Sequence, residues 1–174
     1  MWISSVCDPY QPVEKSVALT RRCLVELSRW RFPVHIQTKS ALVCRDLDVL
    51  QTFENIEIGL TITTDNERLA RVFEPNASAL PDRIQALGKI RSAGIPTFAF
   101  IGPLLPLNPS HLAGLLDGKV DKILIDRMNY IHTVRPFYTK LGLQEALADR
   151  FFRDMSERLK EEFRKRGVPV RILF

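Results

Sequence analysis

Cysteine is scarce in this sequence, and its spacing excludes several classes of site. The 174 residues include three cysteines, Cys7, Cys23 and Cys44, no two of them close together. An odd and scattered set gives neither a disulfide framework nor a compact metal-binding motif. Long apolar runs are also missing, since no stretch approaches the roughly 20 residues that cross a bilayer, and residues 1–5 lack the pattern of a signal peptide. We therefore expect a reduced, cytoplasmic protein without a membrane partner.

Glycine-rich phosphate loops are absent as well. The sequence contains neither G-x-G-x-x-G nor a P-loop, which weakens the Rossmann and P-loop alternatives. The histidines His35, His111 and His132 have no G-x-S-x-G or H-E-x-x-H context, and His35 is predicted to pack in the core within a strand. Hydrophobic residues make up 45% and charged residues 26%, an ordinary globular composition that predicts a single domain over residues 1–174.

The net charge of +5 permits an anionic partner without requiring one. Basic residues crowd the last quarter of the chain, and acidic residues lie between them. Glu157 with Lys160 and Glu161 with Lys165 have the spacing of ion pairs along one helix. This pattern favours an exposed amphipathic helix over a nucleic-acid patch, which stays open as a second interpretation.

Short apolar runs alternate with longer helical patterns along the whole chain. Strands are predicted at residues 2–6, 34–38, 56–64, 95–101, 122–125 and 168–174. Helices are predicted at residues 15–31, 45–54, 65–73 with Asp65 as N-cap, 81–94, 109–116 and 134–166 with a break at Gly142. Residues 134–174 thus form a C-terminal helical region and a last strand. Such alternation predicts an α/β fold with a parallel sheet, either open and doubly wound or part of a barrel.

Polar residues follow one predicted strand after another, at the edge where parallel α/β folds place their sites. Asp8 follows the first strand, Lys39 follows the second, and Thr61 and Thr63 lie on the third. Asp8 and Lys39 matter most, because a charge just beyond a buried strand needs a partner or a ligand. Each also has a scaffold interpretation, with Asp8 starting a turn and Lys39 pairing with Asp8 or Asp46.

Several segments resemble, in order and spacing, the radical SAM proteins related to spore photoproduct lyase. The resemblance covers at least residues 1–130. The matching segments are DPYQPVE at 8–14, LTRRCL at 19–24, TKS at 38–40, RDLDVL at 45–50, TITT at 61–64, FEPNA at 73–77, Arg83, AGIP at 93–96 and GPLLP at 102–106. The combined pattern is specific, although no single segment is.

The resemblance implies a fold and a cofactor. The core of this family is a partial (β/α)6 TIM-like barrel. It binds a 4Fe-4S cluster and S-adenosylmethionine, and reductive cleavage of S-adenosylmethionine gives a 5'-deoxyadenosyl radical. The family chemistry makes S-adenosylmethionine the expected small-molecule partner.

The resemblance also assigns roles to individual residues. Segment 4–8 lies where the family contacts the methionine amine, and Lys39 corresponds to a contact with the carboxylate or the ribose. Thr61 takes the place of a serine near the ribose, and Arg71 or Arg83 is expected to pair with the carboxylate. The candidate cofactor-binding residues are therefore Ser5, Asp8, Lys39, Thr61, Thr63, Arg71 and Arg83.

The family's cluster motif, C-x-x-x-C-x-x-C, is absent. Three scattered cysteines do not replace it, because a site-differentiated cluster needs three thiolates converging on one face. We therefore expect a barrel that lacks its first βα unit, a fragment or truncated homologue that is inactive in radical chemistry on its own. Two alternatives stay open: a module without a cluster that binds nucleic acid or protein, and an unrelated βα protein with a phosphate site.

The exposed edge of the first predicted strand has a further consequence. A parallel strand with an unpaired edge invites pairing with another chain. We therefore expect self-association through residues 2–6.

Overall fold

The computed structural model describes residues 1–3 and 7–174, which form one parallel sheet with helices between its strands. The strands are β1 (Trp2–Ile3), β2 (Val34–Thr38), β3 (Ile56–Thr61), β4 (Thr97–Ile101), β5 (Lys122–Ile125) and β6 (Val170–Ile172). They lie side by side in chain order, and every neighbouring pair is parallel. The predicted α/β class and the number of strands are confirmed.

Eight α-helices connect these strands within the described part of the chain. They are α1 (Glu14–Val17), α2 (Leu19–Ser28), α3 (Leu47–Leu50), α4 (Glu67–Phe73), α5 (Leu80–Ser92), α6 (Pro109–Leu116), α7 (Ile131–Lys140) and α8 (Asp149–Arg164). Two 3-10 turns, Ala41–Asp46 and Gln144–Leu147, precede α3 and α8. None of the helices described is long and apolar enough to cross a membrane.

The sheet packs its apolar face against the helices. Ile36, Ile58 and Ile123 lie on that face and are fully buried in one core cluster. Helix residues such as Leu87 and Leu159 complete the cluster. The core therefore lies between the sheet and the helical layer, and it fixes the strands whose carboxyl ends carry the candidate site.

The opposite face of the sheet carries polar and aromatic side chains. His35 Nδ1 lies 3.0 Å from Glu57 Oε2, Lys122 Nζ lies 2.6 Å from Glu57 Oε1, and the Trp2 ring stacks on His35 with centroids 5.7 Å apart. His35 was predicted to pack in the core, and this prediction is wrong. Successive strand residues point to opposite faces, so the burial of Ile36 places His35 on the polar face.

Two helix boundaries differ from prediction because side chains capture backbone donors. The helix predicted over 15–31 is broken at Ala18, which has a left-handed φ of 49°. Beyond that break, the Glu14 carboxylate accepts from the backbone N–H groups of Thr20 and Arg21, the free donors at the start of α2. Asp65 is not the cap of α4, because Asn66 Oδ1 accepts from the Leu69 N–H at 3.0 Å.

Helix α8 neutralises much of its own charge. The predicted pairs are present, with Lys160 Nζ 3.7 Å from Glu157 and Lys165 Nζ 3.9 Å from Glu161. Arg150 also pairs with Asp154 at 3.3 Å. These contacts support the interpretation as an exposed amphipathic helix.

Candidate functional site

A cavity of about 420 Å³ lies beyond the carboxyl ends of β1 and β2, where the segment after α4 covers it. A volume of this size is within the range of about 300–1,000 Å³ typical of small-molecule sites. The lining residues are Asp8, Tyr10, Gln11, Pro12, Lys39, Ser40, Phe73, Glu74, Pro75, Asn76 and Ala77. The charged residues among them are Asp8, Lys39 and Glu74, two acids and one base.

Asp8 links the segment after β1 to the end of β2 through hydrogen bonds. Its Oδ1 accepts from Thr38 Oγ1 at 2.6 Å and from the Tyr10 N–H at 2.9 Å. Its Oδ2 accepts from the Lys39 N–H at 2.7 Å. The carboxylate thus fixes the chain on both sides of the cavity mouth, and protein donors already occupy most of its acceptor capacity.

Lys39 reaches toward Glu74 rather than toward Asp8 or Asp46. Its side chain is 41% exposed, and its Nζ lies 4.0 Å from Glu74 Oε1. The Glu74 side chain is only 6% exposed, and its Oε1 has no hydrogen-bond partner. A buried acceptor without a partner is costly, and this one belongs to a residue that lines the cavity.

Arg83 lies behind Glu74 and is itself buried. Its Nη1 donates to Glu74 Oε2 and to the Thr61 carbonyl oxygen, both at 2.8 Å. Thr61 is also buried, and its Oγ1 accepts from Gln37 Nε2 at 3.3 Å. The end of β3, the start of α5 and the segment after α4 are thus tied together by one guanidinium.

The remaining candidates lie elsewhere. Thr63 is buried and its hydroxyl has no hydrogen-bond partner. Arg71 is 75% exposed on α4, pairs loosely with Glu67 at 3.9 Å, and does not line the cavity. Ser5 lies outside the described residues. The structure therefore brings Asp8 and Lys39 to one cavity, places Thr61 and Arg83 behind it, and leaves Arg71 apart.

An ion network supports the cavity from the side of α2. Arg45 donates from Nε to Asp46 at 2.8 Å and from Nη2 to Glu14 at 2.9 Å. Burial raises the pKa of Glu14, but hydrogen bonds from Thr20 and Arg45 outweigh it and leave that pKa below its usual value. Burial raises the pKa of Asp46 as well, but hydrogen bonds from Arg45 and Arg21 outweigh it and leave that pKa below its usual value.

Tyr10 connects this network to the cavity. The side chain is fully buried and lines the cavity. Burial, with the nearby Asp46 carboxylate as a second cause, raises the pKa of the Tyr10 phenol far above its usual value. The hydroxyl nevertheless makes no well-formed hydrogen bond. The tyrosine therefore stays neutral and contributes an apolar wall.

Sequence reasoning did not select Glu74 or Tyr10. Both belong to segments that carry the family resemblance, 73–77 and 8–14. What distinguishes Glu74 is its burial beside Arg83, and this depends on the packing of α5 against the sheet.

The described residues do not fit an iron–sulfur cluster. No group of three His, Cys, Asp or Glu side chains within residues 1–3 and 7–174 could hold a metal ion. Cys7 and Cys23 are exposed, and Cys44 lies half-buried in the 3-10 turn before α3. Cluster ligands, which are convergent thiolates, are therefore not available from this part of the chain.

Sequence comparisons find relatives, while no protein-family model matches the chain. An uncharacterised protein of Methanocaldococcus jannaschii is 41% identical over 106 residues, which are 61% of this chain and 40% of that protein. An uncharacterised protein of Acidianus two-tailed virus, ORF301, is 30% identical over 107 residues, 61% of this chain and 35% of that protein. The matched region thus spans well under half of either relative.

Structure comparisons identify the fold. A variant of spore photoproduct lyase with bound S-adenosylmethionine and dinucleoside spore photoproduct superimposes with a TM-score of 0.69 at 14% identity, covering 95% of this chain and 58% of that one. Streptococcus suis SuiB bound to S-adenosylmethionine gives 0.68 at 12% identity, covering 97% of this chain and 38% of that one. The chain has the α/β, partial TIM-like barrel fold of these proteins, as predicted.

Proposed function

We propose that this chain is an S-adenosylmethionine-binding core of the radical SAM type, with the ligand in the cavity beyond β1 and β2. The observation that carries the proposal is Glu74, a residue of the cavity lining whose buried Oε1 has no hydrogen-bond partner and lies 4.0 Å from Lys39 Nζ. An acceptor and a cation side by side suit a ligand that carries both donors and an anionic group. Two structures with the same fold contain S-adenosylmethionine.

Each candidate residue in or behind the cavity is assigned a part in binding the ligand. Lys39 supplies the cation for the carboxylate or the ribose, and Asp8 holds the Lys39 backbone in place. Thr61 ends β3 behind the cavity, and Arg83 binds its carbonyl oxygen. Ser5, Thr63 and Arg71 stay as candidates from the family resemblance, with Arg71 dependent on a change of side-chain position.

In this family, bound S-adenosylmethionine supplies a 5'-deoxyadenosyl radical after reductive cleavage at a 4Fe-4S cluster. The described residues offer no ligands for that cluster. We therefore propose that residues 1–174 bind the ligand without carrying out the radical reaction by themselves.

Two measurements test this proposal. Isothermal titration with S-adenosylmethionine should show one site per chain, weakened by Lys39→Met and unaffected by Lys140→Met, an exposed lysine on α7. Anaerobic reconstitution with iron and sulfide should leave the chain without the broad visible absorption of a 4Fe-4S cluster. The absence of any binding would contradict the proposed ligand, and a stoichiometric cluster would contradict the proposed division of function.

A phosphate ligand fits the same cavity poorly. The cavity is lined by the carboxylates of Asp8 and Glu74 and by the single cation of Lys39. Phosphate sites instead concentrate backbone N–H donors and cationic side chains. This charge balance favours a ligand with a positive group over the βα protein with a phosphate site considered above.

A further inference from the structure

We propose that α7 acts as a lid: by docking on Phe73 it holds residues 73–77, the cover segment, over the cavity, and by detaching it lets a ligand enter and leave. The identity of that ligand rests on the proposed function, whereas the coupling of α7 to the cover segment does not. The described residues that line the cavity include none from α7. The helix therefore acts on a ligand only through Phe73.

Phe73 connects the cavity to α7. It is the last residue of α4, and it lines the cavity. Its ring meets the rings of Phe137 and Tyr138 edge to face, with centroids 5.1 Å and 5.0 Å away. Aromatic pairs in this arrangement attract each other beyond the burial of their surfaces. Docking of α7 therefore fixes one wall of the cavity.

The two ends of the cover segment are held by different kinds of contact. Next to Phe73, Glu74 Oε2 accepts from Arg83 at 2.8 Å. Just beyond the segment, Ser78 Oγ accepts from the Ala41 N–H at 2.9 Å. The Phe73 side chain has no polar atom, and apolar packing with α7 holds it. The hydrogen-bonded end is thus anchored to the barrel, and the Phe73 end is free to move with α7.

Three features make the docked form of α7 costly. The helix begins at Tyr130, whose left-handed φ of 56° is unfavourable for a residue other than glycine, and no side chain caps it. Pro136 lies within the helix and removes one of its backbone hydrogen bonds. The Tyr138 hydroxyl is buried without a hydrogen-bond partner among the described residues. Detachment of α7 gives this hydroxyl access to water and removes its desolvation cost.

A separate, small cluster keeps α7 docked. Its buried members are Leu105, Tyr138, Ala146 and Leu147, with Phe73 packed against them. The apolar side chains of the sheet and of α5 belong to the main core instead. A segment held by a small cluster of its own opens at a lower free energy than the core does. Helix α7 can therefore detach while the sheet and α5 stay folded.

Hydrogen exchange followed by mass spectrometry tests the lid on the full chain. Without ligand, amides of α7 should exchange about tenfold or more faster than those of α5. Saturation with S-adenosylmethionine should slow the exchange of α7 together with that of the cover segment. The reason is linkage: a ligand that binds better under the closed cover also favours the docked helix.

Two substitutions in α7 should act in opposite directions. Phe137→Ala removes one ring from Phe73 and should speed both the exchange of α7 and the cover segment and the dissociation of the ligand by about three- to tenfold. Tyr138→Phe removes only the unpartnered hydroxyl, which stays neutral because burial raises the pKa of Tyr138. This variant should slow the same three rates by about fivefold.

The control is Trp30→Ala, which removes an exposed ring at the opposite edge of the sheet, before β2. It should change neither the exchange of α7 nor the dissociation of the ligand. Amides of α5 serve as a control within each variant, because a general loss of stability would speed their exchange as well. Circular dichroism verifies the fold, which Phe137→Ala should retain since Phe137 is 41% exposed.

Failure of the lid and failure of the proposed function give different results. If S-adenosylmethionine does not bind, the proposed function fails, and the exchange of the unliganded variants still decides about the lid. If Phe137→Ala speeds exchange in α7 but not in the cover segment, or speeds α5 equally, the inference is overturned. Binding of S-adenosylmethionine without any change of exchange in α7 overturns it as well. If Phe137→Ala does not fold, Tyr138→Phe decides, and unchanged exchange in that variant would contradict the lid.

Discussion

The Arg83 guanidinium donates to the Glu74 carboxylate across 2.8 Å, and both side chains are buried almost completely. Burying two charges costs desolvation energy that their attraction only partly offsets, so such a pair is a weak net source of stability. Breaking it from one side is expensive, because a lone buried charge is left behind. The pair therefore fixes Glu74 Oε2 beside the cavity.

Removal of the Arg83 charge should destabilise the fold strongly. Arg83→Met leaves Glu74 buried and unpaired, which we expect to lower the free energy of unfolding by about 3–5 kcal/mol. Urea denaturation at neutral pH measures this change. The matched control is Arg91→Met, which breaks an exposed pair with Asp121 at 3.1 Å and should cost less than about 1 kcal/mol. Equal losses of unfolding free energy in the two variants would show that breaking the buried pair costs no more than breaking the exposed one.

Acid should destabilise the protein through Glu14 and Asp46. The folded state lowers the pKa of both carboxyl groups, because hydrogen bonds from Arg45 and its neighbours outweigh their burial. A carboxyl whose folded pKa lies below its unfolded value contributes stability above that unfolded value, about 4.3 for Glu and 3.9 for Asp. This stability is lost as the pH falls through the lower, folded pKa values.

The acid prediction is checked by measuring urea midpoints from about pH 7 down to about pH 3. This range includes the pH at which carboxyl groups of the unfolded chain begin to bind protons. Glu14→Gln should lower stability at neutral pH and flatten the decline toward low pH, because one of the two linked carboxyl groups is gone. Glu26→Gln removes an exposed carboxylate on α2 and serves as the control. A Glu14→Gln variant that loses stability with acid as steeply as the unmodified chain would contradict the assignment.

Two glycines should respond to the same substitution with opposite sign. A Cβ on Gly59 of β3 would lie 2.2 Å from the Phe98 ring, whereas one on Gly114 of α6 meets nothing within 4 Å. Gly59→Ala should therefore cost about 1–3 kcal/mol of unfolding free energy through overpacking. Gly114→Ala should add about 0.5–1 kcal/mol, because glycine is unfavourable within a helix.

Thermal or urea unfolding measures both glycine variants. The double variant Gly59→Ala with Phe98→Leu tests the cause. The smaller leucine side chain should relieve the overlap and recover stability relative to Gly59→Ala alone. A loss that persists with Phe98→Leu would place the strain elsewhere.

The regular parts of this fold could be predicted from sequence because their patterns are local. The strands at Val34–Thr38 and Lys122–Ile125 have the predicted bounds, since each is a short apolar run between turn residues. The predicted strand at 56–64 ends at Thr61 instead. The helix over 15–31 was predicted without its break, because the periodicity of its apolar residues does not reveal that the Glu14 carboxylate takes the donors of Thr20 and Arg21.

The candidate site was predicted only in part for a related reason. Asp8 and Lys39 follow strands, and strand ends can be located along the sequence. Glu74 lies at the end of a helix, where an acidic residue is ordinarily exposed. Only the packing of α5, which brings Arg83 within 2.8 Å, turns it into a buried group that faces the cavity. Contacts between elements distant in sequence leave no periodic signal.

The edge of the sheet at β1 should support self-association. Within the described residues β1 pairs only with β2, and an unpaired strand edge can accept a strand from another chain. Beside it, Met1, Trp2 and Phe32 are about half-exposed, and the Met1 N-terminus donates to the Pro33 carbonyl oxygen, which joins the start of β1 to the loop before β2. Apolar surface next to a free edge favours a second copy, paired across a two-fold axis.

Sedimentation velocity over a range of micromolar concentrations tests this last expectation. The unmodified chain should form a dimer whose fraction rises with concentration, and the double variant Trp2→Ser with Phe32→Ser should shift it to monomer, because both side chains would lose apolar contacts. Tyr130→Ser removes an exposed aromatic ring away from this edge and should leave the dimer intact. A chain that sediments as a monomer throughout would show that the edge at β1 is not an interface between copies.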